Sequence, residues 1–126
     1  MAEEVPKPGS IVHVEIPCKN RENAKKFYGD VFDWKFQDVP EMDYTLFEPS
    51  NPPGGGLFTP TESTPSGVLN YLLVDSIQET SQAIEEAGGK ILVPESEVPN
   101  QGWFAIFQDP EENVLAIWKN APRQEE

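Results

Sequence analysis

Two side chains that can exchange protons stand close together near the start of the chain. His13 and Glu15 are two residues apart in residues 10–17, where apolar residues alternate with others. This alternation predicts a β-strand, in which residues i and i+2 lie on one face. A carboxylate beside an imidazole can act with it as an acid/base pair, or can hold the imidazole in one tautomer. His13 and Glu15 are therefore candidate catalytic residues; the alternative is a strand histidine satisfied by its neighbours.

Metal and thiol chemistry have few candidate donors in this chain. His13 is the only histidine and Cys18 the only cysteine. His13 and Glu15 could bind a divalent cation if Asp43 or Glu48 supplied a third donor. Cys18 could be a reactive thiolate, or a buried and inert thiol. No G-x-S-x-G, C-x-x-C, H-E-x-x-H or dinucleotide-binding motif occurs.

Length and charge limit the class of protein. The 126 residues fit one domain, residues 1–126, with a core of its own. The formal net charge of −13 disfavours nucleic acid and anionic membranes as partners. It would attract a cationic ligand; the alternative is that the excess carboxylates only keep the protein soluble. No apolar run approaches the ~20 residues of a membrane helix. Residues 1–4 are acidic and lack the apolar stretch of a signal peptide. We therefore expect a cytoplasmic location.

The elements that must position these side chains follow one pattern in the first half. After the strand at residues 10–17, Asn20 is the expected N-cap of a helix. Its apolar stripe consists of Ala24, Phe27, Tyr28, Val31 and Phe32. Three short strands are predicted next, at residues 35–39, 44–48 and 56–59.

The second half repeats this order after a polar linker at residues 59–67. Residues 68–74 are predicted to form a strand. Ser76 and Glu79 form a capping box, which predicts the start of a helix. Three more strands are predicted at residues 90–93, 102–107 and 114–118.

The repeat predicts an α+β fold of two βαβββ modules, at about residues 10–60 and 67–119. Each module is too small to bury its own sheet face, so the two should pack together. We expect a curved eight-stranded mixed sheet, or a partial barrel, around a cleft.

Several short phrases also resemble a known family. They are HVEIP at 13–17, AKKFY at 24–28, VFDW at 31–34, GGK at 88–90, GWFA at 102–105 and DPEEN at 109–113. Their order and spacing resemble the glyoxalase / bleomycin-resistance / extradiol dioxygenase (vicinal-oxygen-chelate) superfamily. The resemblance covers residues 10–119 and is closest to a glyoxalase-related branch that has no single agreed reaction.

The resemblance implies a ligand site on the concave face of the sheet. Metal-dependent members place four ligands there, and the matching positions are His13, Gly56, Leu69 and Ala116. Only His13 carries a donor, because glycine, leucine and alanine side chains cannot coordinate a cation. We therefore expect neither the standard divalent-metal site nor another cofactor. Gly56, Leu69 and Ala116 become candidate ligand contacts.

Two aromatic residues join the site through the same resemblance. Tyr71 shares a strand face with Leu69, and Trp118 shares one with Ala116. The Tyr71 hydroxyl could orient a ligand or donate a proton; ordinary packing is the alternative. Trp118 could line the binding site of an apolar or planar ligand; ordinary core packing is the alternative.

The sequence leaves the function open between enzyme and binder. One hypothesis is a metal-independent isomerase or lyase on a small organic molecule, with Glu15 or His13 as base and Tyr71 as donor. The second is a bleomycin-resistance-type protein that sequesters a cationic or aromatic ligand. The others are a metal-dependent lactoylglutathione-lyase-like or dioxygenase-like enzyme with non-standard ligands, and a partner-docking domain. The resemblance also implies a homodimer.

Overall fold

The computed structural model describes residues 5–62, 64 and 67–122. The chain divides into two compact units. The first unit is residues 11–70, and the described part of the second unit is residues 5–10 with residues 71–122. The helices and strands are β1 (Ile11–Pro17), α1 (Arg21–Phe32), β2 (Lys35–Val39), β3 (Tyr44–Glu48), β4 (Gly55–Phe58), β5 (Leu69–Leu73), α2 (Ile77–Glu86), β6 (Lys90–Val98), β7 (Gly102–Gln108) and β8 (Val114–Asn120). The α+β class and the repeated strand–helix–three-strand order are confirmed.

The first unit is a mixed sheet in the strand order β2-β3-β4-β1. Strands β2, β3 and β4 are successive antiparallel neighbours, and β1 runs parallel to β4 with Val14 opposite Gly55. A Cβ at Gly55 would lie 1.8 Å from the carbonyl oxygen of Val14, so the two strands can approach only because residue 55 is glycine. The helix between β1 and β2 carries the chain across to the far edge of this sheet.

The core of the first unit lies on the sheet face that α1 covers. Buried Cys18, Phe47 and Leu57 form its centre. Side chains from β1, α1, β2 and the turn between α1 and β2 pack against them: Val14, Ile16, Ala24, Trp34 and Phe36. Because Val14 and Ile16 point into this core, His13 and Glu15 project from the opposite face, as the alternation in β1 predicts.

Helix α1 begins where predicted, but the face that it turns toward the sheet is not the predicted apolar stripe. The Asn20 side chain accepts the N–H of Asn23 at 3.0 Å, which confirms the cap. However, Phe27, Val31 and Phe32 are 54%, 56% and 57% exposed, so the stripe was wrong for these three residues.

Two ion pairs explain the rotation of α1. The Arg21 and Lys25 side chains are only 24% and 20% exposed, and they pair with Asp43 and Asp38. These long side chains lie along the sheet-facing side of the helix with their charged ends at the acidic partners. They therefore take the place predicted for apolar residues.

The second unit, which includes β5 from Tyr71 onward, repeats the topology with strand order β5-β8-β7-β6. Strand β5 runs parallel to β8, with Tyr71 opposite Ala116, and β6, β7 and β8 are antiparallel neighbours. The Ser76 side chain accepts the N–H of Glu79 at 3.1 Å, which confirms the predicted start of α2. The buried core of this unit consists of Ile77, Ala105, Phe107 and Ile117.

Strand β6 runs five residues beyond its predicted end at Val93, to Val98. The sequence did not predict this extension because Pro94 interrupts the strand pattern. Proline within sheets is confined to edge strands, strand starts and bulges. Here β6 is the edge of the second unit's sheet, and its register with β7 shifts around Val93. Across residues 5–62, 64 and 67–122, we find no helix with both the length and the apolar character to cross a membrane.

Candidate functional site

Three polar side chains of the first unit form one hydrogen-bonded group, the His13–Tyr44–Glu15 cluster. The Tyr44 hydroxyl donates to Oε2 of Glu15 at 2.7 Å and lies 2.7 Å from Nε2 of His13. Nε2 of His13 and Oε2 of Glu15 are themselves 3.9 Å apart. Because the phenol hydrogen is directed at Glu15, the phenol oxygen is left to accept a hydrogen from Nε2 of His13. The arrangement thus favours the Nε2–H tautomer.

The backbone around Gly56 allows the cluster to form. Strand β4 lies between β3, which carries Tyr44, and β1, which carries His13 and Glu15. In the register of these strands, Gly56 is opposite Glu15. A Cβ at Gly56 would lie 1.9 Å from both Cζ and the hydroxyl oxygen of Tyr44. The phenol can therefore cross β4 and reach β1 only because residue 56 has no side chain.

Burial sets the protonation of the imidazole. Burial lowers the pKa of His13 below its ordinary value of 6.5, and the Glu15 charge opposes this shift only in part. The lowered pKa favours the uncharged imidazole at neutral pH, which can still donate its Nε2–H to Tyr44. The His13 and Glu15 side chains are still 31% and 20% exposed, so the cluster is in contact with solvent.

A depression of about 340 Å³ opens beside His13. Its lining includes Lys35, Gln37, Leu46 and Glu48, which supply one cation, one amide, one apolar side chain and one carboxylate. A volume near 300 Å³ is at the lower end for small-molecule sites. The depression is therefore large enough for a compact organic ligand with polar groups.

The other predicted contacts lie elsewhere in the chain. Tyr71 and Ala116 are opposite each other in the second unit and are 7% and 0% exposed. The Tyr71 ring meets Phe104 and Trp118 edge-on, at centroid distances of 6.5 Å in both cases. Leu69 is buried at the beginning of β5. Tyr71, Phe104 and Trp118 thus form an aromatic cluster, and the role of Tyr71 as a proton donor stays a prediction.

Among the described residues, the donors around His13 are too few for a resident divalent metal. In the part of the chain that the structure describes, no three His, Cys, Asp or Glu side chains are grouped to share a cation. His13 and Glu15 supply two donors, whereas catalytic zinc sites use three protein ligands. Asp43, a candidate third donor, pairs with Arg21 instead.

Tyr44 is the member of the cluster that sequence reasoning missed. It is 31 residues from His13 and 29 from Glu15, and no spacing rule links such positions. One signal could have found it. Glycine inside a strand often marks the close approach of another group, and residues 54–56 are three glycines.

Comparisons with known proteins identify the family. The family model described as Glyoxalase/Bleomycin resistance protein/Dioxygenase superfamily matches residues 10–117. A glyoxylase-like domain-containing protein of Didymella fabae is 35% identical over 118 residues, covering 86% of this chain and 92% of that protein. The chain therefore belongs to the glyoxalase/bleomycin resistance protein/dioxygenase superfamily, and the resemblance seen in the sequence is confirmed.

Solved structures show the same fold. A hypothetical protein of Bacillus halodurans matches with a TM-score of 0.71 and 16% identity, covering 95% of this chain and all (100%) of that one. Methylmalonyl-CoA epimerase of Mycobacterium tuberculosis matches with a TM-score of 0.67 and 13% identity, covering 90% of this chain and 89% of that one. At these identities the likeness extends to the fold alone.

Proposed function

We propose that this chain is a metal-independent enzyme that moves a proton within a small organic substrate, an isomerase- or lyase-type reaction. One observation carries the proposal: a single hydroxyl, that of Tyr44, lies 2.7 Å from both Nε2 of His13 and Oε2 of Glu15. An acid and a base within one hydrogen bond of each other can exchange a proton directly after each turnover.

The cluster can carry out a proton shift that returns it to its starting protonation state. Glu15 takes a proton from a carbon next to a carbonyl group, and the C–H electron pair becomes an enolate. Tyr44 then donates its proton to another atom of this conjugated system, and the Nε2–H of His13 stabilises the resulting phenolate. The proton on Glu15 returns to Tyr44 across their hydrogen bond, which restores the starting state.

The surroundings of the cluster support this assignment. His13 and Glu15 are partly buried, so their hydrogen bonds are shielded from water, yet both stay accessible to a ligand. The neutral state of His13 leaves its Nε2–H as a hydrogen-bond donor rather than an acid that competes with Tyr44. Tyr44 replaces Tyr71 as the proposed donor in this scheme.

Hydrogen exchange in D₂O tests the proposal. A panel of carbon acids, with methylmalonyl-CoA included because an epimerase of that name shares the fold, is incubated with protein and EDTA, and NMR follows loss of the C–H signal. We expect EDTA-insensitive exchange that falls at least tenfold in Glu15→Gln and in Tyr44→Phe. Tyr28→Phe is the matched control, because Tyr28 stacks on Trp34 and its ring is retained. Exchange that needs added metal, or that survives Glu15→Gln, would reject the proposal.

A ligand-sequestering function is the second candidate, and the aromatic cluster of the second unit favours it. Phe104 and Trp118 are half-buried rings packed on the buried Tyr71, and the net charge of −13 attracts cations. A thermal-shift screen of cationic aromatic compounds separates the two functions. Binding that is lost in Trp118→Ala and unchanged in Glu15→Gln, with no exchange activity, would establish the binder.

A further inference from the structure

We propose that Tyr44 determines which ligand the His13–Tyr44–Glu15 cluster accepts, because its phenol fills the space that a divalent cation and a third donor would need. This inference deepens the proposed function and rests on the same cluster. Its test does not depend on turnover, since it measures metal binding.

The first argument concerns space. The Cα–Cβ direction at Gly56 points at the Tyr44 phenol, with a distance of 1.9 Å from the ideal Cβ to Cζ and to the hydroxyl oxygen. Any side chain at position 56 would therefore start inside the volume of the phenol. As long as Tyr44 is in place, strand β4 cannot contribute a donor from position 56.

The second argument concerns the two donors already present. Nε2 of His13 and Oε2 of Glu15 are 3.9 Å apart. Two donors about 2.1 Å from a tetrahedral ion lie about 3.4 Å apart, so these atoms need only a small shift to share one. The Tyr44 hydroxyl, 2.7 Å from each, now stands between them. A cation on the side where position 56 could supply a third donor would have to replace it.

The third argument concerns the number of ligands. With Tyr44 removed, His13 and Glu15 would still be two donors, fewer than the three that hold a catalytic zinc. A carboxylate from position 56, in the space that the phenol leaves, would be the third. The chain should thus gain a metal site through two substitutions, Tyr44→Ala and Gly56→Glu.

Titration calorimetry with ZnCl₂ alone tests this, on the wild type, on Tyr44→Ala/Gly56→Glu, and on the same double variant carrying His13→Ala. We expect the double variant to bind one Zn²⁺ at least tenfold more tightly than the wild type, and to melt at a higher temperature with Zn²⁺ present. His13→Ala should abolish the gain. Circular dichroism checks that each variant is folded.

A second pair of variants covers the case in which Gly56→Glu prevents folding. Tyr44→Ala, with two donors, should bind Zn²⁺ only weakly, and still more tightly than Tyr44→Phe, because phenylalanine keeps the ring over Gly56 and leaves no room for the ion. The inference is overturned if the folded double variant binds no better than the wild type. It is also overturned if the wild type binds equimolar Zn²⁺ through His13, or if Tyr44→Phe gains as much as Tyr44→Ala.

The two proposals can fail separately. An inactive wild type whose double variant gains zinc would reject the proposed function and keep the role of Tyr44 in ligand choice. An active wild type whose folded double variant binds Zn²⁺ no more tightly would keep the proposed function and reject the role of Tyr44 in ligand choice.

Discussion

At the scale of single residues, Tyr44 joins two strands that are not neighbours in the sheet. Its ring crosses β4 above Gly56 and ends between His13 and Glu15. Sequence alone predicted the face shared by His13 and Glu15, since strand alternation determines it. It could not predict Tyr44, because a contact between side chains 29 and 31 residues apart depends on sheet order and on a missing side chain in the strand between.

Lowering the pH should destabilise the protein through His13. The unfolded chain titrates near 6.5, and burial lowers the pKa in the folded state. Below pH 6.5 the unfolded chain therefore binds more protons, so stability is retained above this pH and lost as the pH falls through the lowered pKa. NMR of the single imidazole measures the shift directly. A folded-state pKa at or above the value in urea would contradict it, and His13→Gln should flatten the stability profile in this pH range.

Gly56→Ala should destabilise the fold and disrupt the cluster. The added methyl group would overlap the Tyr44 phenol, and overpacking of this kind costs about 1–3 kcal/mol. Gly29→Ala is the control. Its Cβ would lie 3.5 Å from the Phe36 ring, an ordinary van der Waals contact. Residue 29 is inside α1, where alanine is favoured over glycine by about 1 kcal/mol. Urea unfolding should therefore show opposite signs for the two variants, and equal effects would refute the account of Gly56.

At the scale of elements, the two helices show what local signals can and cannot determine. Asn20 and Ser76 were identified as caps because capping depends on neighbouring residues alone. The rotation of α1 was missed because it depends on Asp38 and Asp43, which lie in later segments and draw Lys25 and Arg21 toward the sheet. Helical periodicity contains no information about such partners.

Ser76→Ala should lower the stability of the second unit by about 1 kcal/mol, since the N–H of Glu79 loses its side-chain acceptor. Ser81→Ala, inside α2, is the matched control. It should be neutral or slightly stabilising, because alanine is the better helix former. Thermal unfolding of both variants decides the point; an equal loss at both positions would mean that the cap contributes nothing specific.

At the scale of the whole molecule, charge dominates. The net charge of −13 makes self-repulsion the main long-range term, whereas exposed ion pairs contribute only about 0–1 kcal/mol each. Raising the NaCl concentration screens the repulsion, so we expect the melting temperature to rise. A steady fall would show that ion pairs such as Lys25–Asp38 outweigh it. The homodimer stays a prediction, which light scattering tests against the 14.1 kDa mass of one chain.

The most direct test of the central claim is a double-mutant cycle between Tyr44→Phe and Glu15→Gln, measured by urea unfolding without any substrate. If the cluster acts as one unit, the two losses should not add, and the coupling energy should be about 0.5–3 kcal/mol. Phenylalanine and glutamine keep the ring and the shape, so packing changes little. Losses that add within about 0.3 kcal/mol would show that Tyr44 and Glu15 act independently, and would remove the basis of the proposed chemistry.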